Sequence, residues 1–115
     1  MNLQTVQLID PNGNVVAAAQ VAGQNGLFAG RADLAFMPPR LRQVFEKYEE
    51  TVNNQVFSIL DEIEDRILSM GLQAVFPDGQ RANIRDLQIY PSTSGISFRS
   101  GDSSVDGQMI GQEKA

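Results

Sequence analysis

The densest group of ionisable side chains is the run Asp61-Glu62-Ile63-Glu64-Asp65. Asp61 and Asp65 are four residues apart, so on a helix they share one face and could bring two carboxylates to Mg²⁺ or Ca²⁺. Hard cations usually take more oxygen ligands than two exposed carboxylates supply. Ile63 divides the run as an apolar residue of an amphipathic helix does. We therefore interpret the run as a solvated helix face and predict no metal site and no cofactor.

A second pattern, Asp10-x-Asn12-x-Asn14, imitates the opening of a calcium-binding loop. The match then fails, because Val15 stands at the sixth position in place of glycine and Val21 stands at the twelfth in place of glutamate. Pro11 followed by Asn12-Gly13 is instead typical of a tight reversal of the chain. The pattern predicts a turn between two strands.

Four arginines fall in predicted strands, and they suggest a binding surface. If they share the open face of a sheet, they form a basic patch that could receive a carboxylate or phosphate ligand. The other explanation, which we favour, is that edge strands carry charges that prevent aggregation. The patch supports an alternative function as a small-ligand (anion or carboxylate) sensing or binding domain. Its residues are Arg31, Arg81, Arg85 and Arg99.

The sequence contains neither histidine nor cysteine. The commonest general base and the thiol nucleophile are therefore excluded. Ser58 has Asp61 three residues further on, but no histidine or well-placed lysine could activate its hydroxyl. An enzyme that uses two carboxylates alone stays possible, although no pair is indicated. We expect a protein that is not an enzyme.

The formal net charge of −5 bears on the class of partner. An acidic chain without a basic run is a poor ligand for the phosphates of duplex nucleic acid and for anionic membrane surfaces. No stretch approaches the roughly 18–20 apolar residues of a membrane span, and the N-terminus lacks a signal-peptide pattern. We expect a cytoplasmic protein that binds neither nucleic acid nor membrane, in agreement with the absence of cysteine.

The apolar and turn residues predict three strands, one helix and three further strands. Residues 3–9, 15–21 and 27–34 form an antiparallel meander, and residues 73–76, 81–90 and 96–99 form the second set. The predicted class is α+β: a βββ-α-βββ antiparallel meander sheet with one long amphipathic helix packed on one face. Residues 1–99 are expected to form a single domain, followed by a flexible polar tail over residues 100–115.

Two features of the first three strands suggest close packing. The strand over residues 15–21 is apolar on both faces, which is typical of a strand covered on both sides. Its alanines would let a helix or another sheet approach closely. Gly30, inside the third strand, predicts a bulge or a close helix contact.

Residues 38–70 carry apolar side chains at steps of three and four, the period of an amphipathic helix. Such a helix is roughly 50 Å long, whereas a compact domain of this size is about 35 Å across. It must therefore bend or break, with Asn53-Asn54 the weakest point, or project beyond the sheet, or pack on a second copy of itself. The stripe consists of Leu41, Val44, Phe45, Tyr48, Val52, Val56, Ile59, Leu60, Ile63, Ile67 and Met70.

Phe57 and Leu68 fall on the opposite side of this helix from its apolar stripe. Asp61 and Asp65 lie beside them. Two apolar side chains on the polar side of an over-long helix indicate a second contact surface, although a loop folded over them would also explain them. The predicted function is that of a small non-catalytic interaction protein, which forms a homodimer or docks a protein partner through the long helix.

Overall fold

The computed structural model describes residues 3–100, which form six β-strands and two α-helices. The elements are β1 (Gln4–Ile9), β2 (Val15–Gln24), β3 (Leu27–Asp33), α1 (Pro39–Asn53), α2 (Phe57–Ser69), β4 (Gln73–Val75), β5 (Arg81–Tyr90) and β6 (Gly95–Ser100). Apart from Ser100, the tail predicted over residues 100–115 lies outside the described residues.

The six strands form a closed antiparallel barrel in the order β1-β2-β3-β6-β5-β4, with β4 pairing back onto β1. The predicted open meander sheet is therefore wrong. Two ladders between the halves of the chain close the barrel: Leu27 of β3 lies opposite Arg99 of β6, and Leu8 of β1 lies opposite Ala74 of β4. The turn residues of the sequence do not specify either of these long-range pairings. Closure pairs the backbone N–H and C=O groups that the edge strands of an open sheet would leave exposed.

The prediction of one long helix is also wrong, because α1 and α2 are separate helices joined by residues 54–56. Gln55 has a left-handed backbone with φ 57°. Its N–H donates to the carbonyl of Val52 at 3.1 Å, and the N–H of Val56 donates to the carbonyl of Thr51 at 3.1 Å. These two bonds form a Schellman motif, which ends α1. Val52 and Val56 are four residues apart, so the apolar spacing crosses the break without changing phase.

Two alanines of β2, Ala17 and Ala19, face the inside of the barrel, where they pack against β1 rather than against a helix. Ala19 lies opposite Val6 of β1, and Ala17 lies opposite Leu8. All four side chains are buried. A barrel of six strands has a narrow interior because its diameter grows with strand number. Small side chains therefore have to alternate with large ones in order to fill it.

At the end of the barrel where β3 begins, three aromatic rings fill the interior. The rings of Phe28 and Phe98 stack with their centroids 5.3 Å apart, and Phe76 lies 5.3 Å from Phe28. At the other end, the chain leaves β3 for the two helices, which lead to the start of β4. There Phe45 is fully buried in the same hydrophobic core, and the ring of Tyr48 lies 6.0 Å from that of Tyr90.

The reversal predicted between β1 and β2 is confirmed. One carboxylate oxygen of Asp10 accepts the N–H groups of Asn12 and Asn14, both at 2.9 Å, and Gly13 has φ 86°. The backbone hydrogen bond from Asn14 is the main reason why the pKa of Asp10 is lowered. The aspartate therefore holds its own turn together.

Gly30 marks a close approach of two strands rather than a bulge or a helix contact. The β2–β3 register is continuous from Ala18 to Gln24, with Gly30 opposite Val21. A Cβ atom on Gly30 would overlap the backbone carbonyl of Gln20. The missing side chain is what lets the two backbones come together.

We expect Gly30→Ala to lower the free energy of unfolding by more than about 2 kcal/mol, because backbone must move to admit the methyl group. Urea denaturation followed by circular dichroism measures this. Gly95→Ala is the matched control, since a Cβ there meets Thr93 Oγ1 at 3.3 Å and no backbone atom closer. Equal losses in both variants would contradict the close approach at Gly30.

Gln55→Gly should raise the free energy of unfolding by about 0.5–1 kcal/mol, because glycine adopts the left-handed backbone of the α1 cap without steric cost. The same denaturation experiment measures it. Gln55→Ala keeps a Cβ at this position and should give no such gain. A loss of stability in the glycine variant would mean that the side chain of Gln55 stabilises the break.

Candidate functional site

A groove of about 480 Å³ lies between α2 and the outer face of β5 and β6. We call it the α2–β5 groove. Helix α2 contributes carboxylates and apolar side chains, whereas the strands contribute both arginine and aspartate. The charged residues and exposed leucines that line it are Leu27, Glu64, Asp65, Leu68, Arg85, Asp86 and Arg99.

A β-bulge in β5 shapes the strand side of this groove. Arg85 lies opposite Arg99, whereas Gln88 lies opposite Ser97, so β5 has one residue more than β6 over this stretch. Asp86 has a left-handed backbone with φ 53°. Arg85 and Asp86 are consecutive and both exposed. The bulge therefore presents two opposite charges side by side on the outside of the barrel.

A sequence signal for this bulge exists, although the prediction of β5 did not use it. The inward side chains of the strand are Ala82, Ile84, Leu87 and Ile89, all buried. Their steps are two, three and two. A step of three inside an alternating strand indicates one extra residue.

The two arginines of the groove differ in their partners. They lie directly opposite each other on neighbouring strands, where like charges repel. The Nε atom of Arg99 lies 3.7 Å from a carboxylate oxygen of Asp86, in an exposed ion pair. Such a pair contributes at most about 1 kcal/mol to stability. Among residues 3–100, Arg85 forms no ion pair within 4.0 Å, so its charge is open to an external group.

The helix side of the groove is acidic. Glu64 and Asp65 line it from α2, and Asp86 faces them from β5. Partial burial, followed by the nearby charges of Asp61, Asp86 and Asp65, raises the pKa of Glu64. Three carboxylates thus share the groove with two guanidinium groups. This balance does not favour a small anionic ligand here, but it would accept a protein surface that carries both signs of charge.

The structure places the four predicted binding arginines around the outside of the barrel, and all four are exposed. Only Arg85 and Arg99 adjoin. Arg99 lies opposite Leu27 of β3. Arg31 lies four residues further along β3, a distance of about 13 Å. Arg81 lies opposite Val75 of β4, four residues before Arg85. The four side chains therefore do not form one patch.

The predicted interface residues all lie on α2, but only two of them line the groove. Leu68 is 61% exposed and lies beside the groove with Asp65. Phe57 is 64% exposed at the start of α2, about 16 Å along the helix axis from Leu68. Asp61 is exposed one turn before Asp65 and does not line the groove.

Of the charged residues and exposed leucines that line the groove, three were not predicted from sequence as functional: Leu27, Glu64 and Asp86. Leu27 is 40% exposed and faces outward from β3 at the rim of the groove. The alternation of β3 indicates that Leu27 faces outward, but it does not indicate which element lies next to it. Its proximity to α2 therefore could not be predicted from the sequence. Glu64 lies in the acidic run, for which a solvated helix face was the favoured interpretation.

Glu64→Gln should raise the stability of the protein slightly near neutral pH. A folded-state pKa above the unfolded value means that the ionised carboxyl group destabilises the fold, and that protonation relieves this as the pH falls through the folded-state pKa. The gain should therefore shrink on acidification. Thermal unfolding across a pH series measures it, with Glu62→Gln on the same helix as control. A gain that persists unchanged at acidic pH would contradict the assignment.

Two features are absent from residues 3–100. No cluster of three or more acidic, histidine or cysteine side chains within residues 3–100 is arranged to hold a metal ion. Neither helix of the described chain has the length and apolar character needed to cross a membrane.

Comparison with protein-family models, with curated proteins and with solved structures gives no match.

Proposed function

We propose that this protein is a non-catalytic interaction protein that self-associates through the surface around the α2–β5 groove. The observation that carries the proposal is the placement of two exposed leucines, Leu27 and Leu68, beside a groove that holds both signs of charge. The length of the helix does not support self-association, because α1 and α2 are separate helices. The exposure of Leu68 does not depend on whether the two helices are continuous.

Mixed charge makes this surface complementary to itself. In a twofold dimer the same patch of each copy meets the other, so every group needs a partner within its own patch. Arg85 of one copy can approach Glu64 and Asp65 of the second copy. A patch of one sign would repel itself. The net charge of −5 opposes association, but salt screens that long-range repulsion.

The leucines supply the apolar part of the contact. Burial of a fully exposed leucine contributes about 1.5–3 kcal/mol, and Leu27 and Leu68 are only partly exposed. Association costs about 4–15 kcal/mol in lost translational and rotational freedom. The partly exposed leucines of two copies therefore offset only part of this cost, and the surrounding polar and charged contacts must supply the remainder. We expect a dimer of moderate affinity rather than an obligate one.

The proposal includes no catalytic step and no cofactor. It is supported by a sequence without histidine or cysteine, which leaves the exposed Ser58 without an activating base. We also propose the cytoplasm as the compartment, because a cysteine-free chain is compatible with reducing conditions. A protein partner other than a second copy is the competing outcome, and a purified chain that stays monomeric would favour it.

The test is the molar mass of the purified chain in solution, measured by light scattering over a concentration series. The 12.6 kDa chain should approach twice that mass at high concentration. Leu68→Glu should shift it to the monomer, because a carboxylate would enter the apolar contact. Phe57→Glu is the matched control: Phe57 is equally exposed on α2 but lies outside the groove, so its variant should still dimerise.

A charge exchange then tests the orientation of the two copies. Arg85→Glu and Asp65→Arg should each weaken dimerisation by about tenfold or more, because each places like charges opposite one another. An equimolar mixture of the two variants should associate more tightly than either alone. A wild-type chain that stays monomeric throughout the series would overturn self-association. A dimer sensitive to Phe57→Glu but not to Leu68→Glu would place the contact elsewhere on α2.

A further inference from the structure

A second groove, of about 650 Å³, lies between the first half of α1, the end of α2 and the β1–β2 turn. We call it the α1 groove. It shares no described charged residue with the α2–β5 groove, and none of the four arginines predicted from sequence lines it. Its lining combines an apolar floor with cationic side chains. The floor residues are Val16, Leu41, Val44, Met70 and Leu72, and the cations are Arg40, Lys47 and Arg66.

The α1 groove is basic although the chain is acidic. Its single carboxylate, that of Asp10, already accepts the N–H groups of Asn12 and Asn14 within its own turn. Lys47 lies 3.8 Å from Glu50 in an exposed pair. Arg40 and Arg66 form no ion pair within 4.0 Å to any of residues 3–100. The groove therefore presents positive charge that the described part of the chain leaves uncompensated.

The position of Arg40 is unfavourable for the helix that carries it. It stands in the first turn of α1, which contains no acidic residue. The N-terminus of a helix carries partial positive charge and favours acidic side chains. Arg40 thus adds to the positive potential at this point rather than neutralising it. A placement that breaks a local rule of helix stability is typical of functional sites.

The floor of the groove is apolar and only partly covered. Val16 and Leu72 are buried, whereas Leu41, Val44 and Met70 are half-buried and packed against the core. The unbranched thioether of Met70 can adapt to the shape of a ligand. The volume falls within the range of small-molecule sites, which are largely apolar with a few placed polar groups.

We propose that the α1 groove binds a small anionic amphiphile, a carboxylate carried on a single aliphatic chain. The carboxylate would meet Arg40, Lys47 or Arg66 at the rim, where a guanidinium group can hold it with two parallel hydrogen bonds. The aliphatic chain would cover the floor formed by Leu41, Val44 and Met70. Each half of such a ligand thus meets a complementary half of the groove, which neither a simple anion nor a neutral hydrocarbon does.

The experiment is isothermal titration calorimetry of the full chain with dodecanoate, kept below its micelle concentration. We expect saturable binding of one dodecanoate per chain. Octanoate should bind at least about tenfold more weakly, because each buried methylene contributes to affinity. Acetate and the uncharged detergent dodecyl maltoside should bind more weakly still, because each lacks one half of the recognised chemistry.

Variants locate the site. Arg40→Gln and Arg66→Gln should each weaken dodecanoate binding by at least about fivefold, and both are exposed, so thermal unfolding should confirm that the variants fold. Arg31→Gln is the matched control, an exposed arginine outside the groove, and should bind as the wild type does. Leu41→Ser should weaken dodecanoate more than it weakens octanoate, if the longer chain reaches the floor.

Four results would overturn the proposal. Equal affinity for acetate and dodecanoate would indicate an anion site without an apolar component. Equal weakening by Arg31→Gln would indicate attraction to overall charge. Non-saturable uptake with loss of the folded signal would indicate detergent action. Tighter binding of a poly-glutamate peptide, lost in Arg66→Gln, would identify an acidic protein segment as the ligand. None of these results bears on dimerisation, which light scattering measures separately.

Discussion

Closure of the barrel depends on two ladders between distant parts of the chain, β1 with β4 and β3 with β6. The first is short, because β4 contains only three residues. Once both ladders form, the interior is narrow, which requires alanine opposite the larger side chains of β1. The same closure leaves the outer faces of the strands free of sheet partners. The outer surfaces to which we assign a function are therefore a consequence of the closure of the barrel.

The pair of helices covers only part of the outside of this barrel, and a groove remains on either flank. Helix α2 borders the groove beside β5, and α1 borders the groove beside the β1–β2 turn. Two local departures from regular structure shape them. The bulge at Asp86 places Arg85 beside a carboxylate, and Asp10 draws its own turn tight, so that it does not neutralise the arginines across the groove. The charge of each groove is therefore determined by local backbone structure, the bulge at Asp86 in one case and the turn at Asp10 in the other.

Local features of the fold could be predicted from sequence, whereas its closure could not. The turn at Asp10 and the end of α2 at Gly71, which has φ 66°, follow from side-chain and glycine chemistry within a few residues. The pairing of β3 with β6 joins segments separated by both helices, and no short-range pattern specifies it. The helix break was missed because Val52 and Val56 keep the apolar period across it. Part of the α2–β5 groove was reached by separate lines of reasoning: Leu68 and Asp65 as an interface, and Arg85 and Arg99 as a basic patch.

The contrast between the grooves constrains how copies of this chain can assemble. If the α2 face were purely acidic, it would fit the basic α1 groove of the next copy, and such a head-to-tail contact can repeat without closing. Arg85 and Arg99 lie within the acidic face and oppose the cations of the α1 groove in that arrangement. In a contact between copies, they meet the carboxylates of Glu64 and Asp65 only when the face meets another copy of itself. In the proposed assembly, a mixed-charge face beside a basic groove therefore favours a closed dimer over an open chain, and the α1 groove stays free for the proposed ligand.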